Sequence, residues 1–532
     1  MENDYRAIKY LAIVILGGFV FGLDAAVVSG TIRYISMQFE LSSLEVGTVV
    51  GAPSIGAIIA LFVAGKLTAV FGRQKTLVLI AFTYVISAIL SATALGYYSL
   101  VFARALGGLA FCSLGITSMY IGEVAPSHVR GKLMTANQVT TAFGFFSAYL
   151  INYFLVLSFN ENSVFLGPET IWRTMFAVEI IPAIIWFLLL LKVPESPRWL
   201  MMKGRPEDAR KVLKLLNAPD NVEIIHKEIQ QNIKSTSATL SVTAQLRRLA
   251  SKRMSIIVLV GVTAAITQSL SGINAIAYYS PTIFEQIGLG VNEAFKQTSI
   301  MGMLGILAAG TSVFLVDKVG RKPLLVVGLS AIAICHFTIW NGFQNATYVV
   351  TEEKLAAVES TVDVEPLKSL LNKEFSSDRD FKVELRDRYD ANFLRANESN
   401  LIKSFIQISA GPIVAAIFAF KIAFGFSIGP MMWVLFSEIT PNSVRSVAIP
   451  CFALMSSLSA WASQKFFPWQ LEVFGSATTF LSYGIFALLG MAVLVVFLIE
   501  TKNRSIEEIE SLMARGERSP SVTSATTERG KA

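Results

Sequence analysis

The sequence predicts an all-α membrane protein with twelve transmembrane helices in two pseudo-symmetric six-helix bundles and cytoplasmic linker helices. Hydrophobic residues make up 53% of the 532-residue chain, and mean hydropathy is +0.56. They come in runs of about 20, enough to cross a hydrocarbon core about 30 Å thick. An internal repeat predicts the two bundles. EVAPSHVR at 123–130 recurs as EITPNSVR at 438–445, and FGR ending at Arg73 recurs as VGR ending at Arg321.

Twelve apolar segments are long enough to span a bilayer, and each is expected to be helical because a helix satisfies its own backbone in lipid. Their boundaries are approximate, and the tenth is longer than one span requires. The predicted spans are 8–30, 45–66, 75–95, 97–122, 133–156, 172–192, 255–286, 296–316, 323–344, 401–437, 443–466 and 477–499.

Lys and Arg concentrate in every second connection between these spans. Examples are Arg73 after span two, Arg130 after span four, the stretch 198–253 after span six, and Arg321 after span eight. The positive-inside rule places these connections and both termini in the cytoplasm. The same bias accounts for the net charge of +7. A nucleic-acid partner is not expected, because no basic face or aromatic platform accompanies the charge.

Polar segments divide the chain. We expect an N-terminal bundle at 1–194, cytoplasmic linker helices at 195–253, a C-terminal bundle at 254–500 and a largely disordered cytoplasmic tail at 501–532. The second half is longer than the first between its repeated motifs, which predicts an insertion on the outer side at about 345–400. Its sequence alternates apolar and polar residues in a helical manner.

The motifs together carry a family resemblance over almost the whole chain. The sequence resembles the sugar porters of the major facilitator superfamily, which implies the major facilitator fold, a central sugar site and alternating access. The motifs are FGLDAAVVSG at 21–30, FGRQK at 71–75, RALGG at 104–108, EVAPSHVRGK at 123–132, PESPRWL at 194–200, QSLSGINAIAYYSPTIFE at 268–285, VGRKP at 319–323, EITPNSVRS at 438–446 and ETKNRSIEEIE at 500–510.

Eight charged residues lie in these motifs near the cytoplasmic helix ends. In the family, such residues form inter-helix ion pairs that close the inner side when the outside is open, and pairs that break on opening suit a gate. The alternative is that they only signal topology and are solvated, but topology signals alone do not need carboxylates. The residues expected in the cytoplasmic gate are Arg73, Glu123, Arg130, Glu195, Arg321, Glu438, Arg445 and Glu500.

Asp24, Arg104 and Glu179 form the predicted proton-coupling site. A carboxylate inside a span is costly unless it is paired or lines a cavity. From the predicted spans, Asp24 lies about 12 Å below the outer surface, and the other two about 10 Å below it. Two carboxylates beside one guanidinium can hold or release a proton. The alternative is a static buried ion pair. By resemblance, proton-driven sugar porters carry Asp at this place, whereas facilitative glucose carriers carry Asn.

The resemblance also implies substrate-binding residues. Gln138, Gln268, Asn274 and Trp433 match family positions that contact the sugar. Amide groups suit sugar hydroxyls, and an aromatic face suits the C–H side of the ring. An interfacial or packing role is the alternative for Trp433.

The predicted outer gate is Tyr278 and Tyr279, near the outer end of span seven. Gly272 and Pro281 interrupt that span, and Gly425, Gly429 and Pro430 interrupt span ten, as expected of moving helices beside a midplane site.

Two departures from the family pattern bear on the substrate. Ser269 stands where the family usually has a second Gln, and Ser457 stands where a second aromatic residue is common, with Trp461 one turn further on. These changes alter which hydroxyl pattern is recognised. Glucose specificity is therefore not implied, and a hexose, a pentose or a polyol fits.

The sequence as a whole favours a proton-coupled sugar symporter in a plasma or bacterial inner membrane, functional as a monomer in the lipid bilayer. The alternatives are a facilitated sugar uniporter and a transporter-like nutrient sensor. No nucleophile, metal-ligand spacing or phosphate-binding motif predicts an enzyme, a metal site or a cofactor.

Overall fold

The computed structural model describes residues 2–515 except 218, 236–240, 360–361, 503 and 505. The last part of the tail predicted to be disordered, 516–532, lies outside the described residues. Ten helical segments of the described residues are long and apolar enough to span a membrane. One of them, Arg445–Phe497, bends at Gly475 and contains predicted spans eleven and twelve. The helix Val291–Val319 contains predicted span eight, so each of the twelve predicted spans overlaps at least one helix.

The N-terminal bundle contains six spans, of which the fourth and the sixth are interrupted. A short 3-10 turn, Ala110–Cys112, lies between the two parts of the fourth span. The helices are α1 (Glu2–Gln38), α2 (Ser43–Phe71), α3 (Arg73–Ala92), α4 (Tyr97–Leu109), α5 (Ser113–Val124), α6 (Ser127–Leu157), α7 (Ile171–Ala177) and α8 (Ile180–Leu190).

Short helices connect the bundles. They are α9 (Pro197–Met202), α10 (Pro206–Leu216), α11 (Pro219–Ser235) and α12 (Val242–Leu249). Helix α10 buries Ala209, Leu213 and Leu216 along one side, as the predicted amphipathic pattern requires. We call the end of the bundles that carries these helices the linker face.

The C-terminal bundle contains the remaining six spans. Its helices are α13 (Ser255–Leu270), α14 (Ile273–Gln286), α15 (Val291–Val319), α16 (Arg321–Gln344), then α20 (Ala410–Phe426), α21 (Ile428–Ile439) and α22 (Arg445–Phe497), followed by the short helix α23 (Ile506–Arg515).

The insertion between α16 and α20 folds around its own apolar core. It contains α17 (Glu352–Val358), α18 (Asp378–Arg386) and α19 (Ala391–Phe405), and three short strands, β1 (Thr347–Val349), β2 (Glu374–Phe375) and β3 (Ile406–Gln407). The strands pair antiparallel in the order β2-β1-β3. We call this end of the bundles the insertion face.

Two sequence predictions for this region are wrong. The all-helical pattern expected for the insertion missed the small sheet, because strands of two or three residues are too short to show a period of two. The predicted tenth span began at 401, but residues 401–407 belong to α19 and β3 of the insertion. The apolar residues Leu401, Ile402 and Phe405 are buried in the insertion core and not in the bilayer-spanning bundle.

Glycines bring the helices of the N-terminal bundle into backbone contact. A Cβ placed on Gly108 of α4 would lie 1.9 Å from the carbonyl oxygen of Pro53 on α2. A Cβ on Gly22 of α1 would lie 2.2 Å from the carbonyl oxygen of Thr141 on α6. Small residues permit such close packing in membrane helices. The packing holds α2 against α4, the helix of Arg104, and α6 against α1, the helix of Asp24.

The outer surface of the spans is apolar. Phe62 on α2, Phe102 on α4, Ile181 on α8 and Ile334 on α16 each expose more than 60% of their surface. Large apolar side chains of this kind are stable at a surface only where another apolar phase covers it. This surface is that of an integral membrane protein with many spans.

Candidate functional site

The repeated motifs build the same charge network at the linker face of each bundle. In the N-terminal bundle, the Arg73 guanidinium donates to the Glu123 carboxylate, with Nη2 at 2.8 Å from Oε1. In the C-terminal bundle, Arg321 donates to Glu438 in the same way, also at 2.8 Å. The Nε atom of each arginine donates to the same carboxylate, so both pairs are bidentate.

A second carboxylate in each bundle caps the helix that the arginine begins. Glu195 accepts from the backbone N–H of Arg73 at 2.8 Å and of Gln74 at 3.1 Å. Glu500 accepts from the backbone N–H of Arg321 and of Lys322, both at 3.0 Å. An anion is favourable at a helix N-terminus, because the first N–H groups have no partner within the helix.

The glycine of each GR motif makes this capping possible. Gly72 has φ +96° and Gly320 has φ +102°, values in the left-handed region that favours glycine. A Cβ on Gly72 would lie 2.1 Å from Oε2 of Glu195, and a Cβ on Gly320 would lie 2.9 Å from Oε2 of Glu500. The glycine therefore supplies both the backbone turn and the space for the carboxylate.

Arg130 and Arg445 were predicted as gate residues, and the structure places them on backbone carbonyls. Arg130 donates to the carbonyl of Ala125 at 3.2 Å, and Arg445 donates to that of Thr440 at 3.1 Å. In each bundle, the arginine contacts the carbonyl of the residue five positions before it in the sequence. Both side chains thus lie beside the repeated charge network of their own bundle without an ion pair among the described residues.

Asp24 and Arg104 form a buried ion pair in the N-terminal bundle. Nη1 of Arg104 lies 2.7 Å from Oδ1 of Asp24, and its Nη2 donates to the backbone carbonyl of the same residue at 3.0 Å. The Arg104 side chain is 1% exposed, and the Asp24 side chain is 2% exposed. The ring of Phe176 lies 5.3 Å from the guanidinium carbon and covers it.

Glu179 adds a second buried carboxyl group to this pair. It is 4% exposed and interacts electrostatically with both Asp24 and Arg104. Oδ2 of Asp24 and Oε1 of Glu179 have no hydrogen-bond partner among the described residues. One guanidinium cannot neutralise two carboxylates, so a proton on one of them would balance the charge of the site. The three predicted coupling residues therefore lie together.

Gly107 allows the ion pair to form. A Cβ at this position would lie 2.6 Å from Oγ of Ser87 and 3.6 Å from Oδ1 of Asp24. Ser87 donates from α3 to the carbonyl of Ala103 on α4 at 2.9 Å. A side chain at 107 would crowd the Ser87 hydroxyl, which joins α3 to α4 one turn from Arg104.

The predicted interruption of the seventh span is present between α13 and α14. Gly272 has φ +87°, and Tyr279 within α14 is also non-helical, two residues before Pro281. His336 accounts for part of this break, since its Nε2 lies 2.7 Å from the carbonyl oxygen of Ser271. A Cβ on Gly272 would lie 2.7 Å from the His336 ring. The sequence analysis missed this histidine, whose buried role appears only in three dimensions.

Polar side chains converge at this break. Gln268 accepts from Ser269 at 3.0 Å, and Asn274 donates to the carbonyl of Ser269 at 3.1 Å. Gln464 of α22 lies 3.4 Å from the Asn274 amide oxygen, and Ser456 of α22 lies 3.5 Å from the Gln268 amide oxygen. Two predicted sugar-binding residues, Gln268 and Asn274, therefore share one cluster with two residues that the sequence analysis did not identify.

The other two predicted sugar-binding residues stand apart from this cluster. Gln138 on α6 is exposed, and Trp433 on α21 is 49% exposed and packs edge-on against Phe436. No hydrogen bond among the described residues joins either of them to Gln268 or Asn274.

Span ten is interrupted at Ser427, between α20 and α21, close to the predicted glycines.

The predicted gate tyrosines are both buried. The Tyr279 hydroxyl donates to the backbone carbonyl of Gln464 at 2.7 Å. Tyr278, one residue earlier, is 9% exposed. The helix that carries both tyrosines, α14, packs against α1, the helix of Asp24 in the other bundle.

Several contacts join the two bundles toward the insertion face. Arg33 pairs with Glu285 at 3.1 Å, Ser54 donates to Gln464 at 2.7 Å, and Tyr149 donates to the carbonyl of Ala277 at 2.6 Å. The insertion itself reaches the end of α1, where Arg395 donates to the carbonyl of Glu40 at 2.9 Å. At the linker face, in contrast, the recorded pairs Arg73–Glu123 and Arg321–Glu438 each join helices of one bundle. This combination describes a molecule closed at the insertion face.

Comparison with known proteins agrees with this arrangement. The family described as "Sugar (and other) transporter" matches residues 10–362 and 398–513, and the unmatched stretch between them lies within the insertion. The arabinose-proton symporter of Bacillus subtilis (strain 168) is 31% identical over 502 residues, which cover 93% of each chain. The D-xylose-proton symporter of Escherichia coli (strain K12) is 28% identical and is matched over 96% of this chain and 97% of its own.

Solved structures give the same result. An inward-open structure of the xylose transporter XylE from E. coli superposes with a TM-score of 0.71 at 26% identity, covering 95% of this chain and 99% of the other. The proton:xylose symporter XylE bound to 6-bromo-6-deoxy-D-glucose gives a TM-score of 0.69 at 26% identity, covering 96% and 100%.

Proposed function

This chain belongs to the family of sugar (and other) transporters, and from that premise we propose that it moves a monosaccharide or polyol across the membrane together with a proton by alternating access. The observation that carries the proton is the buried group formed by Asp24, Arg104 and Glu179. The relatives named as arabinose-proton and D-xylose-proton symporters support the same mechanism.

The coupling follows from the charge of that group. With both carboxyls ionised, the buried site carries one negative charge in excess, which is unfavourable in a low-dielectric interior. A proton taken from the outside neutralises it. When the site opens to the other side, water solvates the carboxyls and the proton leaves. Tyr278 connects this event to the sugar, because α14 carries Asn274 as well.

The sugar site in this proposal lies between the bundles beside the break of the seventh span. Gln268 and Asn274 supply amide groups for the sugar hydroxyls, and Trp433 supplies an aromatic face. Gln464 and Ser456 orient the two amides through the contacts described above. Gln138, on α6 of the N-terminal bundle, is proposed to contact the sugar from the other side.

The linker face is the cytoplasmic side in this proposal, because the basic connections lie there. The structure then corresponds to an inward-facing state. When the transporter turns outward, the contacts at the insertion face break and the linker face closes. Arg130 and Arg445, which bind backbone carbonyls in the present state, would then reach the carboxylates of the opposite bundle. We expect one chain to complete this cycle as a monomer in the bacterial inner or plasma membrane.

A facilitated sugar uniporter is the competing mechanism, and accumulation separates the two. The purified chain is placed in liposomes with an inward proton gradient, and uptake of labelled D-xylose, L-arabinose and D-glucose is measured with and without an uncoupler. A symporter concentrates its sugar above the outside level, and the uncoupler removes the excess. Uptake that only reaches equilibrium, unchanged by the uncoupler, would identify a uniporter.

A further inference from the structure

Lys421 is a cation in the middle of a membrane-spanning helix. It is the one charged residue of α20, and every other residue of this helix is apolar or small. Lysine inside a span is costly, and it usually faces the interior of the bundle or a water-filled cavity, where it marks the path of a substrate. Neither the charge network of the linker face nor the Asp24 site uses this side chain.

The Lys421 ammonium has no acidic partner among the described residues. An aromatic ring lies near it, since Nζ is 5.7 Å from the centre of the Phe145 ring on α6. The residue is only partly exposed. A partly buried ammonium without a counter-ion can be completed by an anionic ligand.

The neighbouring helix leaves room for the lysine. A Cβ placed on Gly305 of α15 would lie 2.9 Å from Cε of Lys421. Any side chain at 305 would occupy the space through which the lysine extends toward α6. The glycine thus lets a side chain of the C-terminal bundle reach the N-terminal bundle.

Lys421 lies at the depth of the proposed sugar site. At 1.5 Å per helical residue, it is about 16 Å from the start of α20 at the insertion face. By the same measure, Phe145 is about 18 Å from the end of α6, Gly305 about 21 Å from the start of α15, and Asn274 about 18 Å from the end of α14. These residues of four helices therefore share one level.

Lys421 approaches the face of α6 that carries Gln138, one of the proposed sugar-binding residues. Phe145 and Gln138 are seven residues, or two turns, apart on α6 and lie on one side of that helix. Tyr149, the next residue of that face, donates to the carbonyl of Ala277 on α14. The ammonium therefore points into the space between the bundles and not toward lipid.

We propose that the substrate is a monosaccharide that carries a carboxylate, as a hexuronate does, and that Lys421 binds that carboxylate. This inference rests on the proposed sugar site and specifies its ligand. A sugar carboxyl is ionised at neutral pH. The substrate anion supplies the counter-ion that the ammonium lacks, and hydrophobic surroundings strengthen the pair.

The proposal changes the charge that each cycle moves. A neutral sugar taken up with one proton carries one positive charge across the membrane. A hexuronate anion taken up with one proton carries no net charge. Uptake of the acidic sugar is thus expected to depend on the pH gradient and to be insensitive to the membrane potential.

The test compares sugars that differ in one group. Uptake into proteoliposomes with an inward proton gradient is measured for D-glucuronate against D-glucose and for D-galacturonate against D-galactose. The variants are Lys421→Met, which removes the charge at similar length, Lys421→Arg, which keeps it, and Lys296→Met, an exposed lysine at the insertion face, as control. Size-exclusion profiles of the purified variants establish that each is folded.

The expected result is that the wild-type protein takes up an acidic sugar in preference to its neutral counterpart. Lys421→Met raises the KM for the acidic sugar at least about tenfold, as loss of one partner of a buried ion pair does, and leaves or improves neutral sugar uptake. Lys421→Arg and Lys296→Met retain the preference. A potassium–valinomycin potential leaves acidic sugar uptake unchanged.

Two other outcomes would overturn the inference. In the first, neutral sugars are taken up with the proton and acidic ones are not, or Lys421→Met changes the uptake of both classes equally. The lysine then has a structural role, and the symport proposal stands. If no sugar of either class is taken up, the proposed function fails as well, and the two failures remain distinguishable.

Discussion

Arg104 donates two hydrogen bonds to Asp24, one to the carboxylate oxygen Oδ1 at 2.7 Å and one to the backbone carbonyl oxygen of Asp24 at 3.0 Å. The second bond fixes the guanidinium to α1 whether or not the carboxyl is ionised. We therefore expect that Asp24 or Glu179 can take up a proton without releasing the arginine, so that the charge of the site changes while its geometry is kept. A proton-coupling group requires this property, whereas an ion pair that only stabilises the bundle does not.

Asp24→Asn is expected to uncouple transport without abolishing it. The amide retains the hydrogen-bonding shape of the side chain but cannot be ionised, so the sugar can move while no proton is required. Exchange of labelled for unlabelled sugar between the two sides should persist, and accumulation driven by a proton gradient should be lost. The control is Asp208→Asn in linker helix α10, whose carboxylate pairs at the surface with Arg205 and Lys211. Accumulation by Asp24→Asn at the wild-type level would contradict this prediction.

Glu179→Gln is expected to change the pH profile of uptake. In the wild-type protein, uptake should rise as the outside pH falls, because the two buried carboxyls must take up a proton before the site turns inward. With one carboxyl removed, Arg104 neutralises Asp24 alone, and the dependence on outside pH should flatten. Glu293→Gln, an exposed glutamate at the start of α15, is the matched control. A profile of Glu179→Gln with the wild-type slope would show that this carboxyl takes no part.

Gly72→Ala should destabilise the N-terminal bundle. The residue has φ +96°, and its Cβ would lie 2.1 Å from the Glu195 carboxylate. Backbone strain of this kind costs about 1–3 kcal/mol, and displacement of the carboxylate also removes the cap of α3. Thermal unfolding of the detergent-solubilised protein should show a lower midpoint. Gly65→Ala in the same helix α2 is the control, since its Cβ meets no atom within 4 Å, and it should leave the midpoint unchanged or slightly raised.

Gln464→Leu should weaken sugar binding while leaving the proton site intact. The Gln464 amide receives a hydrogen bond from Ser54 at 2.7 Å and contacts Asn274 at 3.4 Å. A buried polar group left without its partner costs about 1–3 kcal/mol, so the KM of the transported sugar should rise roughly tenfold. Gln297→Leu, on α15 and bonded to Glu293, serves as control. An unchanged KM would exclude Gln464 from the support of the amide cluster.

A cross-link between Glu40 and Asn392 should stop transport. Their side chains lie 3.0 Å apart and join α1 of the N-terminal bundle to the insertion of the C-terminal bundle. After Cys112, Cys335 and Cys451 are replaced by Ser, the pair Glu40→Cys and Asn392→Cys is joined by a short bis-thiol reagent. The insertion face is then held closed, and uptake should fall, whereas each single variant treated with the reagent should remain active. Full uptake by the cross-linked pair would show that this contact persists through the cycle.

The sequence was most informative where chemistry and turn geometry repeat. The GR and Glu-to-Arg motifs predicted the linker-face charges, although not that Arg73 and Arg321 pair within their own bundles. Ser456 and Gln464 lie about 190 residues from the amides they contact, and no local pattern encodes such a distance. Lys421 falls outside every motif, because the residues that surround it, Gly305 on α15 and Phe145 on α6, are far from it in the sequence. The strands of the insertion are two or three residues long and leave no periodicity to read.

Proton movement that accompanies sugar uptake tests the central claim most directly. Proteoliposomes without an imposed gradient are loaded with a pH-sensitive dye, and the transported sugar is added outside. The interior is expected to acidify as the sugar enters the wild-type proteoliposomes, and Asp24→Asn is expected to take up sugar without this change. Sugar entry with no acidification in the wild-type protein would contradict it and would leave the buried Asp24–Arg104 contact as a static ion pair of a uniporter.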